Sequence, residues 1–180
     1  MMMIMRIKTE SSNVALRSSF GGSGTEGSAD GTGTAASFNR PYGVAVSPDA
    51  GTVYVADTFN HRIRKIDTSN GVTTTLAGSG TNTFADGTGT AASFNYPSGV
   101  AVSPDGGTLY VADFYNQRIR KIDTSDGDTT TLAGSGTYGF ADGTGTAASF
   151  AGPTGVAMSP NGMTVYVAEV LNNRIRQVTT

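Results

Sequence analysis

The sequence predicts an all-β protein built from repeated antiparallel sheets, and three observations lead to that prediction. A unit of 56 residues that begins at Pro41 returns at Pro97, differing at 12 positions, and begins a third time at Pro153. The chain contains 25 glycines, and no stretch places apolar residues at helical spacing. A repeat of this length is typical of stacked structural units rather than of one conventional core.

The first half of the repeat predicts two strands joined by a tight turn. Gly43–Ser47 is a short β-branched run, and Thr52–Asp57 is apolar or small on both of its faces. That second pattern indicates a strand covered on both sides. Between them, proline sets φ in Ser47–Gly51, and we expect Gly51 to take the positive-φ corner.

The second half of the repeat predicts two further strands and a long link. A loop, Thr58–His61, leads to a third strand, Arg62–Asp67. The turn at Thr68–Gly71 then leads to a fourth strand, Val72–Ala77, and Gly78–Asn95 connects to the next unit. Four antiparallel strands joined by short turns describe one blade of a β-propeller.

The end of the link carries a possible helical turn. Thr90–Phe94 offers a threonine at the N-cap position, followed by two alanines. We expect Thr90 to cap this turn and Phe94 to pack between neighbouring blades.

The repeated strings resemble the NHL repeat over residues 20–180. They read Pro-x-Gly-Val-Ala-Val-Ser-Pro-Asp and Val-Tyr-Val-Ala-Asp-x-x-Asn-x-Arg-Ile-Arg in the first copy. The resemblance implies a β-propeller. It does not choose a function, because the family holds interaction scaffolds, RNA binders and a few enzymes on one frame.

We expect one propeller domain of three blades after an N-terminal tail. The predicted segments are a tail at 1–12, one domain at 13–180, a closing strand and link at 13–40, and repeats at 41–96, 97–152 and 153–180.

The third copy stops after its third strand, and the N-terminal segment resembles the missing one. Residues 13–24 align with 70–80, and Phe20 stands where Leu76 and Leu132 stand. Three blades are fewer than the usual four to eight. We therefore expect a homodimer that forms a six-bladed ring by strand exchange between the two chains. A fragment of a longer array is the alternative.

Two loop motifs are similar to ligand-binding sequences. Gly22–Gly27 matches G-x-G-x-x-G, but no helix follows and the equivalent Gly78–Thr83 departs from it, so we expect turn chemistry. Asp30, Asp86 and Asp142 each offer one carboxylate where a calcium loop supplies several. We expect structural Asp-Gly turns here and no cofactor.

A carboxylate ends each second strand, five residues before an arginine. We expect a structural turn motif in which the two charges pair or cap backbone amides, with catalysis as the alternative. The motif residues are Asp57, Asn60, Arg62, Asp113, Asn116, Arg118, Glu169, Asn172 and Arg174. His61 is the only histidine, so a zinc site lacks ligands and no metal is expected.

Most basic residues fall in the third strands, namely Arg62, Arg64, Lys65, Arg118, Arg120, Lys121, Arg174 and Arg176. One interpretation is a basic rim that touches phosphates. We prefer a solvated outer strand balanced by Asp67 and Asp123, because charged outer edges block aggregation.

The differences between copies concentrate in the loop after the second strand and in the link. Both connections leave an antiparallel blade at the same end, so one face of the disc is predicted to be variable and aromatic. Its candidate binding residues are Arg40, Tyr42, Phe59, His61, Tyr96, Phe114, Tyr115, Tyr138 and Leu171. Aromatic residues with arginine are typical of partner-binding surfaces, and drift in tolerant loops is the alternative.

These features favour a non-enzymatic interaction scaffold that binds a protein, peptide or glycan over an enzyme. The alternative is a metal-dependent hydrolase or lyase with a site at the propeller axis, although the innermost strand carries no candidate ligands. A net charge of -2 disfavours nucleic-acid binding, and no segment is long and apolar enough to cross a membrane. The absence of cysteine leaves the compartment open.

Overall fold

The computed structural model describes residues 19–180, and the regular structure of that part consists of antiparallel strands and short 3₁₀ turns. The predicted all-β class is therefore confirmed. The tail at 1–12 and residues 13–18 of the predicted closing strand lie outside the described residues. No helix between residues 19 and 180 has the length and apolar character that a membrane crossing needs.

The first sheet contains the four predicted strands and a fifth, shorter one. Its strands are β1 (Gly31–Thr32), β2 (Val44–Val46), β3 (Thr52–Asp57), β4 (Arg62–Asp67) and β5 (Val72–Ala77). They lie in the order β1-β5-β4-β3-β2. The two-residue β1 comes from the link and pairs with the outer side of β5, so the sheet has five strands where four were expected.

The second sheet repeats this topology. Its strands are β6 (Gly87–Thr88), β7 (Pro97–Val102), β8 (Thr108–Asp113), β9 (Arg118–Asp123) and β10 (Asp128–Ala133), in the order β6-β10-β9-β8-β7. The third sheet has three strands, which are β11 (Pro153–Met158), β12 (Thr164–Glu169) and β13 (Arg174–Thr179). No strand of the described residues pairs with the outer side of β13.

The turn between β2 and β3 is held by side chains as well as by its backbone. Asp49 accepts hydrogen bonds from the Ser47 hydroxyl and the Gly51 N–H group. The positive-φ corner falls on Ala50, at a φ of 58°, and not on Gly51 as expected. Gly106 and Gly162 occupy the same corner in the later copies, where glycine adopts this conformation without strain.

Each link contains one 3₁₀ turn before it enters the next sheet. The turns are Gly33–Ala35, Gly89–Ala91 and Gly145–Ala147. The predicted cap at Thr90 is wrong, because Thr88 holds the N-cap position and its side chain makes no capping hydrogen bond. The predicted burial of Phe94 is confirmed, since it joins a core cluster with Leu76 from the first sheet.

The three sheets stack in a row through two apolar layers. We call the side of each sheet that carries Val55, Val111 or Val167 its A face, and the side that carries Tyr54, Tyr110 or Tyr166 its B face. One core cluster joins the B face of the first sheet to the A face of the second. Another joins the B face of the second sheet to the A face of the third. Each fully buried large aliphatic side chain contributes roughly 1.5 to 3 kcal/mol to these layers.

Candidate functional site

The two connections predicted to share one end of the disc do meet there. The backbone N–H of Phe59, in the loop after β3, donates to the Asn39 carbonyl in the link, at 3.1 Å. Tyr115 makes the equivalent bond to Asn95 at 3.0 Å. The variable loop of each sheet is thus fastened to the end of the link that enters that sheet.

Aromatic side chains from these connections form one continuous cluster at the seam between the first and second sheets. Tyr96 lies at its centre and packs edge-on against Phe59, His61 and Tyr115, with ring centroids 4.9, 4.7 and 5.1 Å apart. Tyr115 packs in the same way against Phe114 at 4.7 Å. Edge-to-face pairs at these distances stabilise one another by about 0.5 to 1.5 kcal/mol beyond their buried area.

Tyr96 is held in a backbone conformation that non-glycine residues seldom adopt. Its φ is 56°, and the same position in the other two copies is occupied by Arg40, at 47°, and Gly152, at 60°. Such a conformation costs a bulky residue on the order of 1 kcal/mol or more. The surrounding contacts must therefore hold Tyr96 in place.

His61 holds the backbone of Tyr96, the central residue of the cluster. The Tyr96 backbone N–H donates to His61 Nδ1 at 3.2 Å, and the imidazole is buried. Burial lowers the pKa of His61 from its ordinary value, which favours the neutral ring that this hydrogen bond requires. In the next copy, Gln117 Oε1 accepts the Gly152 N–H at 2.8 Å in the same way.

An open groove of about 320 Å³ runs beside the cluster and is lined mainly by apolar atoms. Its wall includes Tyr42, Phe59, Tyr96, Phe114 and Tyr115. Arg40 places its guanidinium over the Phe59 ring, 4.6 Å from the centroid.

Three aliphatic hydroxyl groups also line the groove, and each donates to a carbonyl within the chain. Thr58 Oγ1 donates to Pro97 at 2.8 Å, Ser98 Oγ to Thr154 at 3.1 Å, and Thr154 Oγ1 to Ala168 at 3.2 Å. The groove therefore offers mainly aromatic surface, together with the phenol hydroxyls of Tyr42, Tyr96 and Tyr115.

Two of the predicted binding residues lie apart from the groove. Tyr138 is exposed on the link to the third sheet, and neither the aromatic pairs nor the groove wall includes it. Leu171 is exposed at the seam between the second and third sheets, near Gly152. Because Gly152 stands where Tyr96 stands in the first seam, this second seam lacks the central ring.

The carboxylate that ends each second strand pairs with a different arginine from the one expected. Asp57 Oδ2 lies 2.8 Å from Arg64 Nη1, and Arg62 is not its partner. Arg64 Nη2 also pairs with Asp30, at 2.6 Å, and donates to the Ala29 carbonyl. The guanidinium thus ties the link to the A face of its sheet. We call this group the arginine clamp.

The clamp recurs in all three copies. Arg120 pairs with Asp113 and Asp86, and Arg176 pairs with Glu169 and Asp142. Burial raises the pKa of Asp113, while the Arg120 guanidinium and the Asn116 amide oppose that rise. Asn60, Asn116 and Asn172 each donate to the clamp carboxylate.

The expectation that the third strands are solvated outer strands is wrong for the clamp arginines. Arg64 and Arg120 are fully buried, because β4 and β9 lie inside their sheets and the links cover them. Arg118 and Arg174 instead stack on Phe84 and Phe140, at 3.8 and 3.9 Å.

The site shows no cluster of metal ligands. Among residues 19–180, no group of three or more His, Asp or Glu side chains lies close enough together to hold a metal ion.

A protein-family model described as NHL repeat matches residues 38–66 and 94–122, which are one 56-residue period apart. The chain contains NHL repeats. The resemblance inferred from the sequence is therefore confirmed.

Curated relatives and solved structures support the same assignment. The chain is 35% identical, over 88% of its length, to Protein SUPPRESSOR OF QUENCHING 1, chloroplastic, from Arabidopsis thaliana. It is 39% identical, over 54% of its length, to NHL repeat-containing protein 2 from Homo sapiens. The chain spans 16% and 14% of the lengths of these two relatives.

A solved structure from Bacteroides thetaiotaomicron, described as a structural genomics protein of unknown function, superposes with a TM-score of 0.69 at 27% identity. The match covers 77% of this chain and 34% of that one. Together with the NHL repeats, this similarity supports a β-propeller architecture.

Proposed function

We propose that this chain is a non-enzymatic protein-interaction module that holds a peptide segment of its partner in the groove beside Tyr96. The observation that carries the proposal is the stacked aromatic cluster, whose rings line an open groove of about 320 Å³. Exposed, pre-packed aromatic residues are the usual anchors of protein interfaces, because they bury large areas at low entropic cost. NHL-repeat propellers also commonly serve as interaction scaffolds.

The groove chemistry favours a peptide over a glycan. A sugar ring needs many hydrogen bonds, whereas Thr58, Ser98 and Thr154 already donate to carbonyls within the chain, which leaves only the tyrosine hydroxyls of the groove wall for such bonds. An apolar or aromatic side chain of a peptide fills the groove without such bonds. Arg40, which stacks on Phe59 of the groove wall, offers N–H donors to a carbonyl or carboxylate of the bound segment.

The second candidate function, a hydrolase or lyase with a metal at the propeller axis, has no specific observation in its favour. Its direct test is elemental analysis of the purified protein. Stoichiometric zinc or calcium would revive that candidate, whereas the interaction module requires neither.

The proposed function is tested with peptides selected from a random display library on the immobilised chain. Their dissociation constants are then measured by calorimetry for the wild type, Tyr115→Ala and Tyr138→Ala. We expect Tyr115→Ala to weaken binding by about tenfold or more, the effect of losing a hot-spot aromatic worth about 1.4 kcal/mol or more. Tyr138→Ala is the matched control, because Tyr138 is equally exposed but lies outside the groove, and we expect it to bind as the wild type does.

Two outcomes would count against the peptide groove. Selected peptides that bind both variants equally would move the binding site away from the aromatic cluster. Failure to select any peptide, together with Tyr115-dependent binding of soluble oligosaccharides such as cellohexaose, would replace the peptide by a glycan.

A further inference from the structure

The two outermost sheet faces of the stack expose apolar side chains in the described part of the chain. On the B face of the third sheet, Tyr166 and Ile175 are 45% and 73% exposed. Their counterparts on the B face of the second sheet, Tyr110 and Ile119, are 6% and 0% exposed. On the A face of the first sheet, Val44 is 66% exposed, whereas its counterpart Val100 in the second sheet is 7% exposed. Apolar surface of this kind marks an interaction site.

Each of these two faces carries nearly the same side chains as a face of the second sheet that is packed inside the chain. The B face of the third sheet presents Ala157, Tyr166, Ala168 and Ile175, and the second sheet presents Ala101, Tyr110, Ala112 and Ile119. The A face of the first sheet presents Val44, Val46, Val53, Val55 and Ile66, and the second sheet presents Val100, Val102, Leu109, Val111 and Ile122. The B face of the third sheet is therefore complementary to the A face of the first.

The edge of the third sheet is uncovered as well. In the first two sheets the third strand pairs with a fourth, β5 or β10. Along β13 there is instead a groove of about 260 Å³, lined by Arg176, Val178, Asp142 and Phe150 among others. An unpaired strand edge is a template for a strand from elsewhere.

The N-terminal link is placed to deliver such a strand. Gly22 N–H donates to Gly33 at 3.0 Å and Ser23 N–H to Ala36 at 2.8 Å. Gly78 and Ser79 make the same two bonds at the equivalent positions of the next link. That link directly follows β5, the fourth strand of the first sheet. Residues 13–20 therefore stand in sequence where a fourth strand of a neighbouring sheet is expected. Phe20, the counterpart of the buried Leu76, is 44% exposed.

We propose that two copies of this chain assemble head to tail, each covering the A face of the other's first sheet with the B face of its third. In this assembly residues 13–20 of one copy add as a fourth strand along β13 of the other. The two contacts are identical, so they close a ring of six sheets that covers both outermost faces and the β13 edge. The proposal does not depend on the peptide groove, which lies within one chain.

Gly155 provides a sharp test of the docked geometry. Inside the chain, a Cβ on the equivalent Gly43 would collide with the Ser98 carbonyl of the next sheet, and one on Gly99 with that of Thr154. A Cβ on Gly155 meets only the Ala168 side chain, at an ordinary 3.6 Å, because no sheet of the described residues packs there. Gly155→Ala is therefore tolerated in a single chain, but it collides with the Tyr42 carbonyl of a second copy in the proposed ring.

The experiment measures the mass of the full chain by light scattering after gel filtration. We expect the wild type to have twice the chain mass of 18.4 kDa. Gly155→Ala should halve the measured mass and keep the wild-type far-UV circular dichroism. Met163→Lys is the control, because Met163 is an exposed apolar residue in the β11–β12 turn, outside the two faces, and this variant should remain dimeric.

A second variant tests the exchanged strand. Deletion of residues 1–20 removes the proposed strand and keeps the described link, and we expect it to lose the dimer. A wild-type monomer overturns the proposal and leaves the two faces to further repeats of a longer polypeptide. A dimer that survives Gly155→Ala also overturns it, because that dimer must use another surface.

Discussion

The arginine clamp and the aromatic cluster differ in how often they occur along this chain. The clamp is present three times with nearly the same distances, from Arg64 through Arg120 to Arg176. The cluster around Tyr96 is present once, at one seam, and Gly152 replaces its central ring at the next seam.

This difference separates what holds the fold from what recognises a partner. A contact that every copy needs must recur in every copy, and the clamp closes each link over its sheet. The cluster is built at the seam where the repeat departs from itself, and its loss in the next copy leaves the fold unchanged. We therefore expect clamp substitutions to lower stability and cluster substitutions to lower binding.

The largest expected effect is on stability, from Arg120→Met. Removing this buried guanidinium leaves the carboxylate of Asp113 unpaired in the core. Breaking a buried ion pair in this way costs about 3 to 5 kcal/mol. The loss of stability is measured by urea denaturation at fixed protein concentration. Lys121→Met, at an exposed position of the same strand, is the matched control. If both variants unfolded at the same urea concentration, the clamp would not hold the fold.

The intermediate effect is on binding, from Tyr96→Gly, which copies the residue of the next repeat. The glycine relieves the strain of φ 56°, and the lost ring contacts offset that gain. We expect stability to change by less than about 1 kcal/mol, while the selected peptides bind at least about tenfold more weakly. A loss of stability as large as that of Arg120→Met would make the cluster part of the frame and erase the distinction.

The smallest effect is a pH dependence, tested with His61→Gln, which copies Gln117. Burial lowers the pKa of His61 from 6.5, so the unfolded chain binds the proton at a higher pH than the folded chain does. The stability that the neutral His61 ring contributes is present above about pH 6.5. It is lost as the pH falls through the pKa of His61 in the folded chain. The variant should lack this part of the acid sensitivity, as measured by urea denaturation between pH 7.5 and 5. If the stability of the wild type and of His61→Gln fell equally with pH, the His61 ring would not act as the neutral acceptor.

Much of the frame was predictable because local signals agree with the final structure. The bounds of β3, β4 and β5 match the predicted strands, since proline, aspartate and glycine punctuate alternating runs on both sides. The meeting of the variable loop with the link was also predictable, because it follows from antiparallel topology alone.

The clamp and the short fifth strands were missed for a common physical reason. The spacing of five residues made Arg62 the expected partner of Asp57, and the ladder does place these two residues opposite each other. Asp57 pairs with Arg64 instead, because the link folds over Arg64 and supplies the Ala29 carbonyl and Asp30. These contacts are remote in sequence. The two-residue β1 forms on the same link and carries no alternation. Only the copying of Asp30 in all three links hinted at this role.

The location of the aromatic groove within a single chain sets the valency of the proposed ring. Because each copy contributes its own complete groove, two copies present two grooves, related by the ring's twofold axis. A partner that carries two copies of the recognised segment then binds the second groove at the effective concentration set by its linker. Such pairing raises the overall affinity by about 10² to 10⁴ without any new contact.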